Sequence, residues 1–308
     1  TGDQTFIVGL LCLVALGVDL RRGFLLVQIF LITIISTDIL KTVFALPRPF
    51  FVDDTLRDFG ALKEGITALT DGAATAFLAS LPESSVEAYR QLNLKSDDYG
   101  LPSGHTAGAV ALWGGLAVVF RKNRLGLLAL VMIPLMMISR LYLARHFPAD
   151  VLVGLALGLF ILILAAYLLN RRDWWRLFLS DSYSLQNGIR AWFLFGGGFL
   201  LPMLLLFSGE GHVGRIAALL AVNMALLTLI AFGTSFEAGN LWHRILRTVL
   251  GFGLFFLMTY AIKQMPLPAN SLATSVVKGF VPVFVLFVCA PLVTGLFMRK
   301  EAEVTVTE

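Results

Sequence analysis

Two histidines, three cations and a carboxylate stand where apolar runs of this chain end, and their types and spacing suit the handling of a phosphate. The first group is Lys41 and Arg48, seven residues apart and followed by Pro49. Seven residues are two helical turns, so both cations are predicted on one helix face, toward an end that Pro47 helps to break, where they would grip one anion. The second group is Pro102-Ser103-Gly104-His105, which opens the next apolar run. A helix start offers backbone N–H groups to an anion. Ser103 serves there as N-cap or phosphate donor, Gly104 lets a ligand come close to the backbone, and His105 supplies a proton in the physiological range. The third group is Ser139-Arg140 at the end of one run, then His146 and Asp150 at the start of the next. A spacing of four stacks His146 and Asp150 on one helix face, so the carboxylate accepts a hydrogen bond from one ring nitrogen and leaves the other as a nucleophile. Arg140 adds a permanently charged fork matched to phosphate oxygens.

These groups need elements to position them, and the composition says which kind. Of 308 residues, 57% are hydrophobic and 14% charged, with a mean hydropathy of +0.82, whereas soluble domains carry about a quarter charged residues. A soluble globular protein is excluded on that ground, and the 25 Phe and 5 Trp exclude a disordered chain. Nine apolar runs read as membrane spans: 6–18, 24–46, 106–120, 125–143, 147–169, 191–207, 216–232, 245–262 and 276–297. They are continuous, not alternating, so the expected fold is all-α: a polytopic helical membrane bundle of about nine transmembrane helices, not a β-barrel. The first run is short, as in a signal peptide, but Asp3 precedes it and no small-residue cleavage site follows, so it reads as a genuine or slightly truncated span.

Nine crossings put Arg21/Arg22, Arg121/Lys122/Arg124, Arg171/Arg172/Arg176, Arg244/Arg247 and Arg299/Lys300 on one side, which the charge rule makes cytoplasmic. The long loop 51–101, rich in Asp and Glu, then lies outside the cytosol; with 66–81 rich in Ala and Leu and a short helix expected at 85–94, it reads either as a re-entrant or interfacial cover or as a solvated connection. Trp174 and Trp175 fit an interfacial anchor. Taken singly, the groups have plainer readings: Lys41 snorkels, Arg48 anchors the interface, the Pro-Ser-Gly turn caps a helix, Arg140 serves topology. All three groups nevertheless fall on the side that the charge rule leaves poor in cations, at one membrane depth, and together they read as an anion site.

In this order and at these helix ends the sequence resembles the type 2 phosphatidic acid phosphatase superfamily, whose three-part signature matches Lys41 to Pro49, Pro102 to His105 and Ser139 to Asp150. The resemblance implies that His146 attacks phosphorus to form a phosphohistidine, that Asp150 orients its ring, and that His105 protonates the departing alkoxide and then activates water. Lys41, Arg48, Arg140, the Ser103 hydroxyl and the Gly104 N–H would hold the equatorial oxygens. No metal or other cofactor is implied, and the cation-rich groups offer no carboxylate cluster fit for Mg²⁺. The vanadium haloperoxidases are similar at these motifs but soluble, and the composition excludes them. One span, not the usual two, precedes the span bearing the first motif, and four helices follow the core. This layout resembles the sphingosine-1-phosphate phosphatase and glucose-6-phosphatase branches.

The expectation is a phosphatase core over 1–170, including the extracytoplasmic loop, and four additional helices over 171–308 that shape a lipid cleft, mediate a homodimer or add stability. The expected activity is metal-independent hydrolysis of a lipid phosphate (a long-chain base phosphate, phosphatidate or polyprenyl phosphate) at the extracytoplasmic face. The expected partners are that lipid and the surrounding membrane lipids, with no nucleic acid. The alternatives are a sugar-phosphate phosphatase and, from another class, an anion transporter or binding protein without catalysis. Asp38, one turn before Lys41, is expected to pair with it. His212 is expected in a solvated loop, His243 on the opposite side, and Arg145 against headgroups or solvent. Cys12 and Cys289 read as small hydrophobes. The pairs Gly154/Gly158 and Gly104/Gly108 have the spacing of close helix packing.

Overall fold

The computed structural model describes residues 4–52, 83–91, 98–170, 202–203, 212–234, 236, 239–268 and 271–307. Every regular element among them is a helix, in the order α1 (Gln4–Cys12), running on as a π-helical segment Leu13–Val18, α2 (Leu20–Phe44), α3 (Pro49–Val52), α4 (Glu83–Gln91), α5 (Gly104–Phe120, π-helical over Val110–Gly114), α6 (Asn123–Tyr142), α7 (Pro148–Asn170), α8 (Val213–Ala231), α9 (Leu241–Gln264) and α10 (Leu272–Thr307). Six of them are long and apolar enough to cross a membrane, and the stretches Phe6–Val18 and Gly104–Phe120 are shorter apolar helices. The chain is therefore a multi-pass helical membrane protein. Eight of the nine apolar runs are helical; the expected span 191–207, apart from 202–203, and the Ala- and Leu-rich stretch 66–81 lie outside the described residues. The expected short loop helix is α4, beginning two residues earlier than the sequence suggests.

The chain forms two compact units, Ile32–Leu164 in one and Asp3–Leu31 with Ala165–Glu308 in the other. In the second unit, Asp19 caps α2 by accepting the Arg22 N–H at 2.9 Å. A Cβ on Gly23 would strike the Ala15 backbone, so glycine is what lets α1 fold back on α2 there. The π-helical segment turns the Leu16 carbonyl toward buried Arg247, whose Nε donates to it. Gln28 donates to Asn223 at 2.9 Å, joining α2 to α8 by a polar bond within an apolar setting. His212 is 6% exposed at the start of α8, not in a solvated loop. The helix it precedes buries most of one face and draws the histidine in with it.

In the first unit the central element is α5, buried along almost its whole length. Its neighbour α7 presents Gly154, Gly158 and Leu162, spaced by four so that they share one face. A Cβ on Gly154 would lie 2.5 Å from the Ser103 oxygen, one on Gly158 would lie 2.8 Å from Val110 Cβ, and one on Gly114 would lie 2.5 Å from Leu162. Close packing of α7 on α5 is thus the use of this glycine pair, as its spacing predicts.

Candidate active site

α2 ends at Phe44, and the chain turns through Ala45, which sits in the left-handed region at φ 47°. Pro47 and Pro49 prevent the helix from resuming through Arg48. Lys41 and Arg48 therefore do not share a helix face, as two-turn spacing suggests. Lys41 comes from the last turn of α2, and Arg48 comes from an irregular segment. Both are buried, at 5% and 7% exposure, and so is Asp38. Arg48 Nε donates to the Asp98 carbonyl at 3.0 Å.

The second group begins α5. Ser103 is extended and its side chain makes no cap hydrogen bond. Thr106 Oγ1 donates to Ser103 Oγ at 3.1 Å. A hydroxyl that accepts in this way keeps its own proton, so it is able to donate to an anion at this helix start. Gly104 and His105 are half-buried in the first turn of α5.

The third group is built differently from its spacing. Pro148 opens α7, and a residue before proline is pushed out of helical geometry, so His146 precedes the helix and Asp150 occupies its first turn. Asp150 reaches back: one carboxylate oxygen, Oδ2, accepts the Phe147 N–H at 2.9 Å and lies 3.3 Å from His146 Nδ1. With the proton on Nδ1, Nε2 carries the lone pair. Arg140 closes α6 just before a Schellman turn, in which Arg145 N–H donates to the Arg140 carbonyl at 3.1 Å and Ala144 N–H to that of Leu141 at 3.0 Å. Ala144 is left-handed at φ 51°. Arg145 is half-buried; its backbone closes this turn and its charge acts on Arg140. Arg140 Nη2 donates to Ser139 at 3.2 Å, while its buried Nε has no hydrogen-bond partner.

The groups are tied to one another by backbone. Ser103 N–H donates to the Asp150 carbonyl at 2.9 Å, and Gly100 N–H donates to that of Leu46 at 2.8 Å. Gly100 also shares a backbone hydrogen bond with the His146 ring. A Cβ on Gly100 would fall 2.9 Å from the Pro47 oxygen and 3.1 Å from Asp150 Oδ2. Gly100 is a close-approach position beside His146 and Asp150 that sequence reasoning missed; the one signal for it was a glycine just before Leu101-Pro102. Arg140, His146, Lys41 and Arg48 all act electrostatically on the His105 ring, and Arg48, Lys41 and Arg140 on that of His146. Burial, then these three cations, hold the His146 pKa well below 6.5. The arrangement is a neutral, oriented imidazole and a second histidine among three cations, which is what an incoming phosphate dianion needs on both its reacting and its non-reacting sides.

Residues 22–174 match the family model described as PAP2 superfamily, a stretch that contains every residue of the site. No curated protein and no solved structure matches the chain.

Proposed function

Since this chain belongs to the PAP2 superfamily and is at family level a phosphatase, we propose that it hydrolyses a lipid phosphate monoester at the extracytoplasmic membrane face through a phosphohistidine. The observation that carries this reading is the His146 ring, oriented by Asp150 at 3.3 Å and acted on by the cations of all the signature groups that supply one.

In the first step His146 Nε2 attacks phosphorus and the bond to the alkoxide oxygen breaks, with His105 giving that oxygen its proton. Asp150 accepts from Nδ1 and balances the imidazolium charge. In the second step His105 takes a proton from water, whose oxygen attacks phosphorus as the P–N bond breaks, releasing inorganic phosphate. Lys41, Arg48, Arg140, Ser103 Oγ and the Gly104 N–H hold the equatorial oxygens, and the buried Arg140 Nε gains an acceptor.

A lipid is favoured by what borders the site. Leu141 and Tyr142, next to Arg140, are 40% and 85% exposed, and the outer faces of α6 and α7 expose Leu130, Ile138, Phe160 and Ile163. Leu141 and Tyr142, the exposed apolar side chains that adjoin Arg140, give a lipid in the bilayer a path to the phosphate site. If α2, α5, α6 and α7 each cross, the helix ends at the site share one face, opposite Arg121 and Lys122.

The test is phosphate release by the detergent-purified chain from a panel of lipid and sugar phosphates in EDTA. Release from lipid phosphates, lost in His146→Ala, is expected. Strict dependence on Mg²⁺, or unchanged turnover in His146→Ala, would overturn the mechanism, and preference for sugar phosphates would overturn the substrate class.

A further inference from the structure

α4 belongs to none of the three signature groups, yet it is tied to one of their cations. Its Tyr89 is fully buried, and the hydroxyl donates to the Asp98 carbonyl oxygen at 2.9 Å. Arg48 Nε donates to that same oxygen at 3.0 Å. A carbonyl oxygen has two lone pairs, so one acceptor joins phenol and guanidinium. The ring is held from both sides, with Phe51 tilted against it at 5.0 Å and Tyr99 edge-on at 5.8 Å between centroids. Ala45 completes this buried cluster, so residues on both sides of Arg48 in the chain and the residue after Asp98 all pack around Tyr89. One residue on, Arg90 Nη2 donates to the Phe44 carbonyl at 3.2 Å, fastening α4 to the end of α2.

A guanidinium is planar, so fixing the direction of its Nε–H fixes the plane in which the Nη groups meet an anion. Arg48 lies on an irregular segment, so its side-chain direction is set by the groups around it, and any direction not fixed beforehand is ordered at a cost when substrate binds. Burial raises the Tyr89 phenol above its ordinary pKa, so the hydroxyl keeps the proton it donates.

We propose that Tyr89 is a positioning residue for phosphate recognition: through the Asp98 carbonyl it holds the Arg48 guanidinium in the orientation that meets the substrate's phosphate, so that α4 sets the phosphate affinity of the site. This rests on the phosphatase reading above.

The experiment is a double-mutant cycle on the full chain, with Tyr89→Phe, Arg48→Lys and both together. Tyr89→Phe keeps the ring and its packing and removes only the hydroxyl. KM for a lipid phosphate and the inhibition constant of inorganic phosphate are expected to rise together by about three- to tenfold with kcat nearly unchanged, as loss of one hydrogen bond in a network gives. In the Arg48→Lys background the effect of Tyr89→Phe is expected to vanish. An equal effect in both backgrounds, no effect on either constant, or a change in kcat alone would overturn the proposal and leave Tyr89 a packing residue. A parallel arm reads the melting-temperature shift produced by inorganic phosphate, which needs no turnover. Should the wild-type chain release no phosphate from any ester, the phosphatase reading fails, and this binding arm still decides whether Tyr89 acts through Arg48.

Discussion

Asp150 Oδ2 receives the Phe147 N–H at 2.9 Å while lying 3.3 Å from His146 Nδ1, so one carboxylate oxygen sets both the first turn of α7 and the imidazole proposed to attack phosphorus. Asp150→Asn keeps an acceptor for the helix but can present N–H to the ring and favour the wrong tautomer. It should lower kcat by about 10³- to 10⁴-fold while leaving the melting temperature close to wild type. Comparable losses in both quantities would mean that Asp150 matters for folding alone. The His146 pKa lies below its ordinary 6.5, so between the two values the unfolded chain binds more protons than the folded one and stability falls as pH drops below about 6.5. The melting temperature should show this decline, and His146→Gln should lose part of it; an identical pH profile in the variant would contradict the assignment. At this scale the residue types were legible and their geometry was not. Spacing alone placed His146 and Asp150 on a helix, whereas Pro148 starts the helix after His146.

Each cation-bearing helix of the site ends on an alanine in left-handed geometry, Ala45 after α2 and Ala144 after α6. That conformation costs an L-residue about 1–2 kcal/mol, and glycine escapes it at an entropic cost of about 0.5–1 kcal/mol. Ala144→Gly should therefore raise stability by about 0.5–1 kcal/mol, read as a higher melting temperature in detergent, unless the segment from Arg140 to His146 is held by something other than its turn. The opposite experiment is Gly154→Ala. Its methyl would lie 2.5 Å from the Ser103 oxygen, so Ser103 and with it the start of α5 must move. A loss of about 1–3 kcal/mol is expected, with a larger fall in activity than Gly126→Ala, whose new methyl meets nothing within 4 Å. The close approach was readable from the four-residue glycine spacing on a transmembrane helix. The turn residues were not, because alanine carries no signature of left-handed geometry, and neither was the partner of α4, because a tyrosine in a polar loop looks like any other.

Across the whole molecule, hydropathy found eight helices whose residues are described, because a membrane span must be long, apolar and internally hydrogen-bonded. What it left unsaid is which helices cluster: residues 3–31 group with the C-terminal part, a tertiary fact that periodicity does not encode. Sidedness is a charge argument and is testable as such. Glu87→Cys, exposed on α4, should react with an impermeant maleimide added outside intact cells, and Lys122→Cys should react only after permeabilisation. The reverse pattern would invert the bundle and put the site in the cytoplasm. The central claim is chemical, that one imidazole carries the phosphoryl group between two steps. The most direct measurement is trapping: the purified chain is mixed with a lipid phosphate labelled on phosphorus, quenched in alkali, and digested. An alkali-stable, acid-labile label on the peptide containing His146, absent from His146→Ala, is the predicted result; turnover with no label on that peptide at any quench time, or with label on another side chain, would contradict it.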